Sequence, residues 1–293
     1  MTTRITRRSL LERGGLLGAG ALLAPGLAAL AAGEKARVVL VRDPRAVADD
    51  GAVNGDVLSQ MLDAGVTALV GEREVAAAWR HLVRASDVVG IKSNVWRHLP
   101  TPPALEAAIG RRVVQAGVAE QAVAIDDRGV LRNRVFERAT ALINARPLRT
   151  HHWAGLGTLL KNYIMFVPDP WSFHDNACER LGEIWQLPHV AGRTRLNVLV
   201  MLTPLFHGTG PHHFNRAYTW PYAGLLVSRD PVAADAVGAA IITAKRRAHF
   251  GDDRPIQPPP HHIEAADQRL HLGTARLDRI DLVRLGESRD SLI

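Results

Sequence analysis

The chain has 293 residues, 47% hydrophobic and 22% charged, the balance of an ordinary globular protein rather than a disordered one. Of its formal net charge of +7, three charges come from Arg4, Arg7, Arg8 and Arg13 set against Glu12. Basic runs never exceed three residues and do not interleave with aromatics, which excludes a nucleic-acid role. The single cysteine, Cys178, excludes an intramolecular disulfide framework, a four-thiolate zinc site and a self-contained iron–sulfur cluster.

At the N-terminus, TRRSLLE (6–12) puts paired arginines before the weakly apolar run GGLLGAGALLAPGLAALAAG, with Ala29 and Ala31 in A-x-A spacing. This pattern predicts a twin-arginine export signal over residues 1–31, cleaved near Ala31/Ala32. The run 14–33 is long enough to span a bilayer, so a retained anchor is the alternative, weakened by its Gly and Ala content and by Pro25. Signals of this class carry folded cargo. The expected partner is the twin-arginine translocation machinery, the expected location is periplasmic or extracellular, and the membrane is met only transiently through the leader.

After the leader, ARVVLV (36–41) reads as a buried strand. Residues 54–71 and 72–85 read as helices, the second with Val75, Trp79 and Leu82 at helical spacing. DVVGIKSN (87–94) is a strand ending in polar residues. TPPALEAAIGRRVVQAG (101–117) is a helix with a threonine cap and prolines in its first turn. QAVAIDDRG (121–129) is a further apolar strand, ending in Asp126 and Asp127. Strand candidates follow at 139–148, 195–202 and 222–228. A strong helix spans 229–247, capped by Asp230 with Pro231 at its first position, and a last strand lies near 279–285. The alternation predicts an α/β fold, a mainly parallel or mixed sheet flanked by helices, with a second lobe allowed by a weak boundary near 145. Ligands of such sheets collect outside the carboxyl ends of the strands, where Lys92, Asn94, Asp126 and Asp127 fall.

The sequence has no GxGxxG, no GxxxxGK[ST], no GxSxG and no HExxH. It offers 13 histidines instead, several in clusters: His151 and His152, His174, His207, His212 and His213, His261 and His262. Imidazole suits metal ligation and proton transfer alike, and most single histidines serve neither. In FHDNAC a helical turn would put His174 and Cys178 on one face. There they could share a soft metal, or His174 could activate the thiol; a buried structural cysteine is the plainer alternative. Lys161, after the small-residue turn HWAGLGTLLKN, can bind an anion or act as a base if desolvated, or sit solvated at a helix end.

Taken together, these segments resemble the domain of unknown function 362 family from about residue 38 to the C-terminus. The resemblance is carried by AWRHLVRASDVVGIKSN, THHWAGLGTLLKNYI, SFHDNAC, RLNVLVML, HGTGP and SRDPVAADAVGAAIITAKR. It places Lys92, Asn94, Arg149, His151, Lys161, Asn162, His174, Cys178, Asp230 and Asp235 at motif positions. Thr150 stands where an aspartate is usual and Val200 where an acidic residue is usual, which removes two carboxylates from any metal or acid–base role. Without ferredoxin-type cysteine motifs, the chain is similar to the exported branch that lacks iron–sulfur clusters. The expectation is a metal- or cofactor-dependent enzyme, with His151, Lys161 and Lys92 catalytic, Asn94, Asn162 and Asp230 binding a cofactor, and His174 and Cys178 holding a transition metal. The alternatives are an exported binding protein for a small anion or metal, and an assembly partner of an exported enzyme.

Overall fold

The β-branched and leucine-rich runs of the sequence become the strands of one sheet. The structure, a computed structural model, describes residues 34–208, 210 and 213–293. The predicted export signal and His212 lie outside these residues. In chain order the elements are β1 (Ala36–Arg42), α1 (Gly55–Val70), α2 (Val75–Arg80), β2 (Val89–Lys92), α3 (Pro103–Gln115), β3 (Val123–Asp126) and α4 (Arg134–Glu137). There follow β4 (Ala141–His151), β5 (Gly155–Gly157), α5 (Leu159–Asn162), α6 (Asp175–Cys178), β6 (Thr194–Leu205), β7 (Gly224–Ser228), α7 (Pro231–Phe250), α8 (His261–Gln268) and β8 (Ile280–Gly286). Short 3-10 turns join several of them.

The sheet order is β3-β2-β4-β6-β7-β1-β8, with β5 folded back on β4. Strands β3, β2, β4 and β6 are mutually parallel, as are β1 and β8, while β7 runs antiparallel to both β6 and β1. This is the mixed α/β sheet that the alternation of elements predicts. Residue 145 falls inside β4, which pairs with β2 on one side and β6 on the other, so a single sheet runs past it.

Both faces of the sheet are covered, which is why its strands read as continuous apolar runs. Val39, Val41, Ile91, Ile143, Val198 and Val227 face the layer of α1, α2 and α3. Val38, Leu40, Leu142, Leu199 and Leu226 face the opposite layer, which includes α7 and α8. Helix α1 buries Leu58, Met61, Leu62, Val66 and Leu69 at three- and four-residue spacing. It starts where the Asn54 side chain accepts from Val57 N and stops at Gly71, whose φ of 75° suits a residue without a Cβ. The expected threonine cap of α3 is corrected. Pro102 occupies that position without a side-chain bond. Thr101 Oγ1 instead accepts from Asn94 N at 3.1 Å and donates to Ala145 O at 3.1 Å, tying the loop after β2 to β4.

Candidate functional site

Strand β2 ends at Lys92, beside Asp126 of β3 and Asn144 of β4. Its ammonium is fully enclosed and pairs with Asp127. It also donates to Ser93 O at 2.7 Å and lies 3.5 Å from Asn162 Oδ1. Burial lowers Lys92 to about 8, with the Asp127 charge opposing that fall. Burial raises Asp127, but the neighbouring Lys92 and the Val95 N–H outweigh it and hold the carboxyl below its usual range. Asn162 accepts from Asn94 Nδ2 at 3.2 Å and donates to Asn144 Oδ1 at 2.8 Å. Asn144 in turn donates to Leu159 O at 3.1 Å and to Asn197 Oδ1 at 3.2 Å. The amides thus join β2, β4, α5 and β6 in one buried polar network, in which low dielectric makes each satisfied bond count.

Asp235 on α7 holds α5 in place by accepting from Leu159 N and Leu160 N, both at 2.9 Å. Burial pushes Asp235 up to about 7, against the bonds it receives from Thr158, Leu160 and Leu159. So anchored, α5 projects Lys161 between the imidazole of His174, 3.1 Å from Nε2, and the thiol of Cys178, 3.7 Å from Sγ. Lys161 has no carboxylate partner among the described residues. Burial lowers it to about 8; Cys178 opposes the fall, and Arg146 and Arg149 add to it. Burial and then Lys161 lower His174 to about 4, so its neutral ring accepts at Nε2. Burial raises the Cys178 thiol although Lys161 and Arg146 pull the other way.

His151 lies beside this group, its ring centroid 6.5 Å from that of His174. Its Nδ1 accepts from Trp153 N at 3.2 Å and Ala154 N at 3.4 Å, which leaves the ring proton on Nε2. Burial, then Lys161, Arg146 and Arg149, drive His151 far below its ordinary range, so it stays neutral.

The residues that sequence reasoning underrated are on β4. Arg146 and Arg149 are 3% and 4% exposed, as buried as Lys161 at 3%. Arg149 Nη1 donates to Asn94 Oδ1 at 3.1 Å and its guanidinium stacks 4.5 Å from the Trp96 ring. Arg146 reaches over Gly157 of β5, where a Cβ would sit 2.5 Å from Nη2. The Nε of each arginine is buried without a hydrogen-bond partner, and so is Thr150 Oγ1. Burial lowers Arg146 to about 10 and Arg149 well below its usual value. LINARPLRTH carries both arginines through a strand that is buried at every position, an enclosure that the sequence alone does not show.

Lys92, Asn94 and Asn162 therefore share one network, and His151, Lys161, His174 and Cys178 share the adjoining cluster. Asp230, expected in the cofactor-binding set, joins neither group. Because β7 runs antiparallel, Asp230 lies at the rim where β1 and β6 begin. There its carboxylate caps α7 at Ala233 N, 2.9 Å, and accepts from Thr274 N, 3.0 Å. The expected metal site at His174 and Cys178 does not fit either. Lys161 takes the position between the two donors, His151 turns Nδ1 to the backbone, and no group of three His, Cys, Asp or Glu among the described residues is arranged to hold a metal. His207 is bonded to Arg246 Nη1 at 3.0 Å, away from the cluster. Val200 lines a mostly apolar cleft of about 420 Å³ together with Pro147, Leu148 and Leu202, on the same rim as the polar cluster but outside it.

In a comparison with known families, a model described as Domain of unknown function (DUF362) matches residues 119–240. This stretch is similar to the DUF362 family. The DUF362 stretch contains Asp127, Arg146, Arg149, His151, Lys161, His174, Cys178 and Asp235, and leaves out Lys92, Asn94 and His262. It is narrower than the resemblance expected from residue 38 onward. No curated protein and no solved structure matches the chain.

Proposed function

We propose that the cluster binds a small oxyanion of the carboxylate or phosphate class, held by Arg146, Arg149 and Lys161. The supporting observation is the surplus of buried positive charge: three cations enclosed together, with Arg146 Nε and Arg149 Nε unpartnered. The two nearby carboxylates are engaged elsewhere, Asp127 with Lys92 and Asp235 with the start of α5. Burying a charge without a partner costs several kcal/mol, a cost that an incoming anion offsets. Planar guanidinium forks match carboxylate and phosphate oxygens. Calorimetric titration of the full chain with phosphate, sulfate and short carboxylates tests the proposal. Saturable binding of one of them, lost in Arg146→Met, is expected; absence of heat with all of them sinks it.

The second reading is an enzyme that works on such an anion, favoured by a desolvated amine lowered to about 8 in contact with an imidazole. A metal is not part of either reading. Export through residues 1–31 belongs to the same proposal, and the anchored alternative would lie in the leader, since no helix among the described residues is long and apolar enough to cross a membrane. A reporter fused to residues 1–33 should be exported, and the Arg7→Lys, Arg8→Lys pair should stop it. Export unaffected by the pair removes the twin-arginine assignment.

A further inference from the structure

We infer that Lys161 forms a Schiff base with the carbonyl of a small 2-oxo acid whose carboxylate is held by Arg146 and Arg149. This rests on the anion reading above and adds a covalent step at one atom.

Four observations carry it. First, the chain uses lysine sparingly: of 36 basic residues only four are lysines, at 35, 92, 161 and 245. Of these, Lys92 and Lys161 are buried, and Lys92 is locked in its ion pair with Asp127. An anion site needing only charge is served as well by a third arginine; a lysine can also lose its proton and attack carbon. Second, Lys161 Nζ is held by groups that accept or return a proton, His174 Nε2 at 3.1 Å and Cys178 Sγ at 3.7 Å, and not by a carboxylate that would fix the charge. Third, Arg146 and Arg149 both lie against Gly157, four residues before Lys161, and each keeps an unbonded Nε. Together they can hold a carboxylate and present the adjacent carbonyl carbon to nitrogen. Fourth, His174 is only half-buried and lies next to Trp171, which is 67% exposed, so water released at the amine has a short way out. The lowering of Lys161 to about 8 agrees with this, since an appreciable share of neutral amine is then present near neutral pH.

The step balances without a redox partner. The neutral amine adds to the carbonyl carbon, forming a C–N bond while the C=O pair moves to oxygen. His174 Nε2 takes the proton from nitrogen and returns it to that oxygen, giving a carbinolamine. His174 Nε2 then takes the remaining proton from nitrogen and delivers it to the hydroxyl, which leaves as water while the nitrogen lone pair forms C=N. Arg146 and Arg149 remain on the carboxylate throughout.

The test uses pyruvate and sodium cyanoborohydride with the full chain, followed by digestion and peptide mass spectrometry. One reduced adduct on Lys161 is expected, exceeding labelling of Lys35 and Lys245 severalfold, suppressed by excess phosphate and absent in Lys161→Arg. Localisation in the parent protein does not depend on the variant folding, and circular dichroism of the variant checks that it does. Calorimetry with pyruvate on the same preparation separates the two claims. Binding of pyruvate without an adduct on Lys161, or adducts confined to Lys35, Lys245 or the N-terminal amine, overturns the Schiff base and leaves the anion site standing. No binding of pyruvate or phosphate overturns both.

Discussion

Lys161→Met removes an enclosed ammonium that has no carboxylate beside it. Burial is the largest cause of its fall from 10.5 to about 8, with Arg146 and Arg149 adding to it and Cys178 opposing. At about 1.4 kcal/mol per unit, keeping this amine charged in the folded state costs about 3 kcal/mol at neutral pH. Methionine fills similar volume but loses the contacts to His174 Nε2 and Cys178 Sγ, each worth about 1 kcal/mol at most. The variant should therefore be more stable than the parent by about 1–2 kcal/mol at pH 7. The unfolded amine binds its proton up to about 10.5 and the folded one only to about 8, so the unfolded state holds more protons in that window. Parent stability therefore rises between pH 8 and 10.5, and the advantage of the variant shrinks over the same range. The other titratable groups facing the amine, His151, His174, Cys178 and His262, are present in both proteins, as is Lys92; Cys178 is coupled to Lys161, so Cys178→Ser in both backgrounds isolates the lysine. Urea unfolding followed by tryptophan fluorescence, in buffer free of phosphate, sulfate and carboxylates, reads it at pH 7 and pH 10. Added phosphate should stabilise the parent and not the variant. A variant less stable than the parent by the same amount at both pH values would refute the reasoning.

Three further outcomes are expected. Asp127→Asn leaves the fully enclosed Lys92 unpaired and should cost about 3–5 kcal/mol in urea unfolding, most of it regained when Lys92→Met is added; a loss no larger than a surface change would show that the pair is solvated. Gly157→Ala places a methyl 2.5 Å from Arg146 Nη2, so the guanidinium must shift, and phosphate affinity by calorimetry should fall about tenfold while the melting temperature changes little. Ala177→Gly relieves a φ of 55° in a turn where Asn176 and Cys178 also have positive φ, and should raise stability by about 0.5–1 kcal/mol.

Lys92 and Asn94 were legible because polar residues end an apolar run, and a run of that kind reads as a strand pointing at a site. His151, Lys161, His174 and Cys178 were legible as motif positions, though nothing in FHDNAC shows that an ammonium separates the imidazole from the thiol. Arg146 and Arg149 were not legible as a pair. Whether an arginine in a strand is enclosed depends on what covers it, here β5 folding back on β4, with α7 anchoring α5 from the same face of the sheet. Asp230 and Asp235 look alike on a helical pattern; only the antiparallel run of β7 puts Asp230 at the far rim. Strand direction inside a sheet depends on long-range pairing, which spacing along the chain does not encode.

A crystal structure of the full chain grown with selenate, an oxyanion located by its anomalous signal, tests the central claim most directly. Selenate is expected within hydrogen-bond reach of Arg146 Nε and Arg149 Nε, beside the Lys161 amine. Selenate bound only at surface arginines, with that cluster closed on itself, would contradict it.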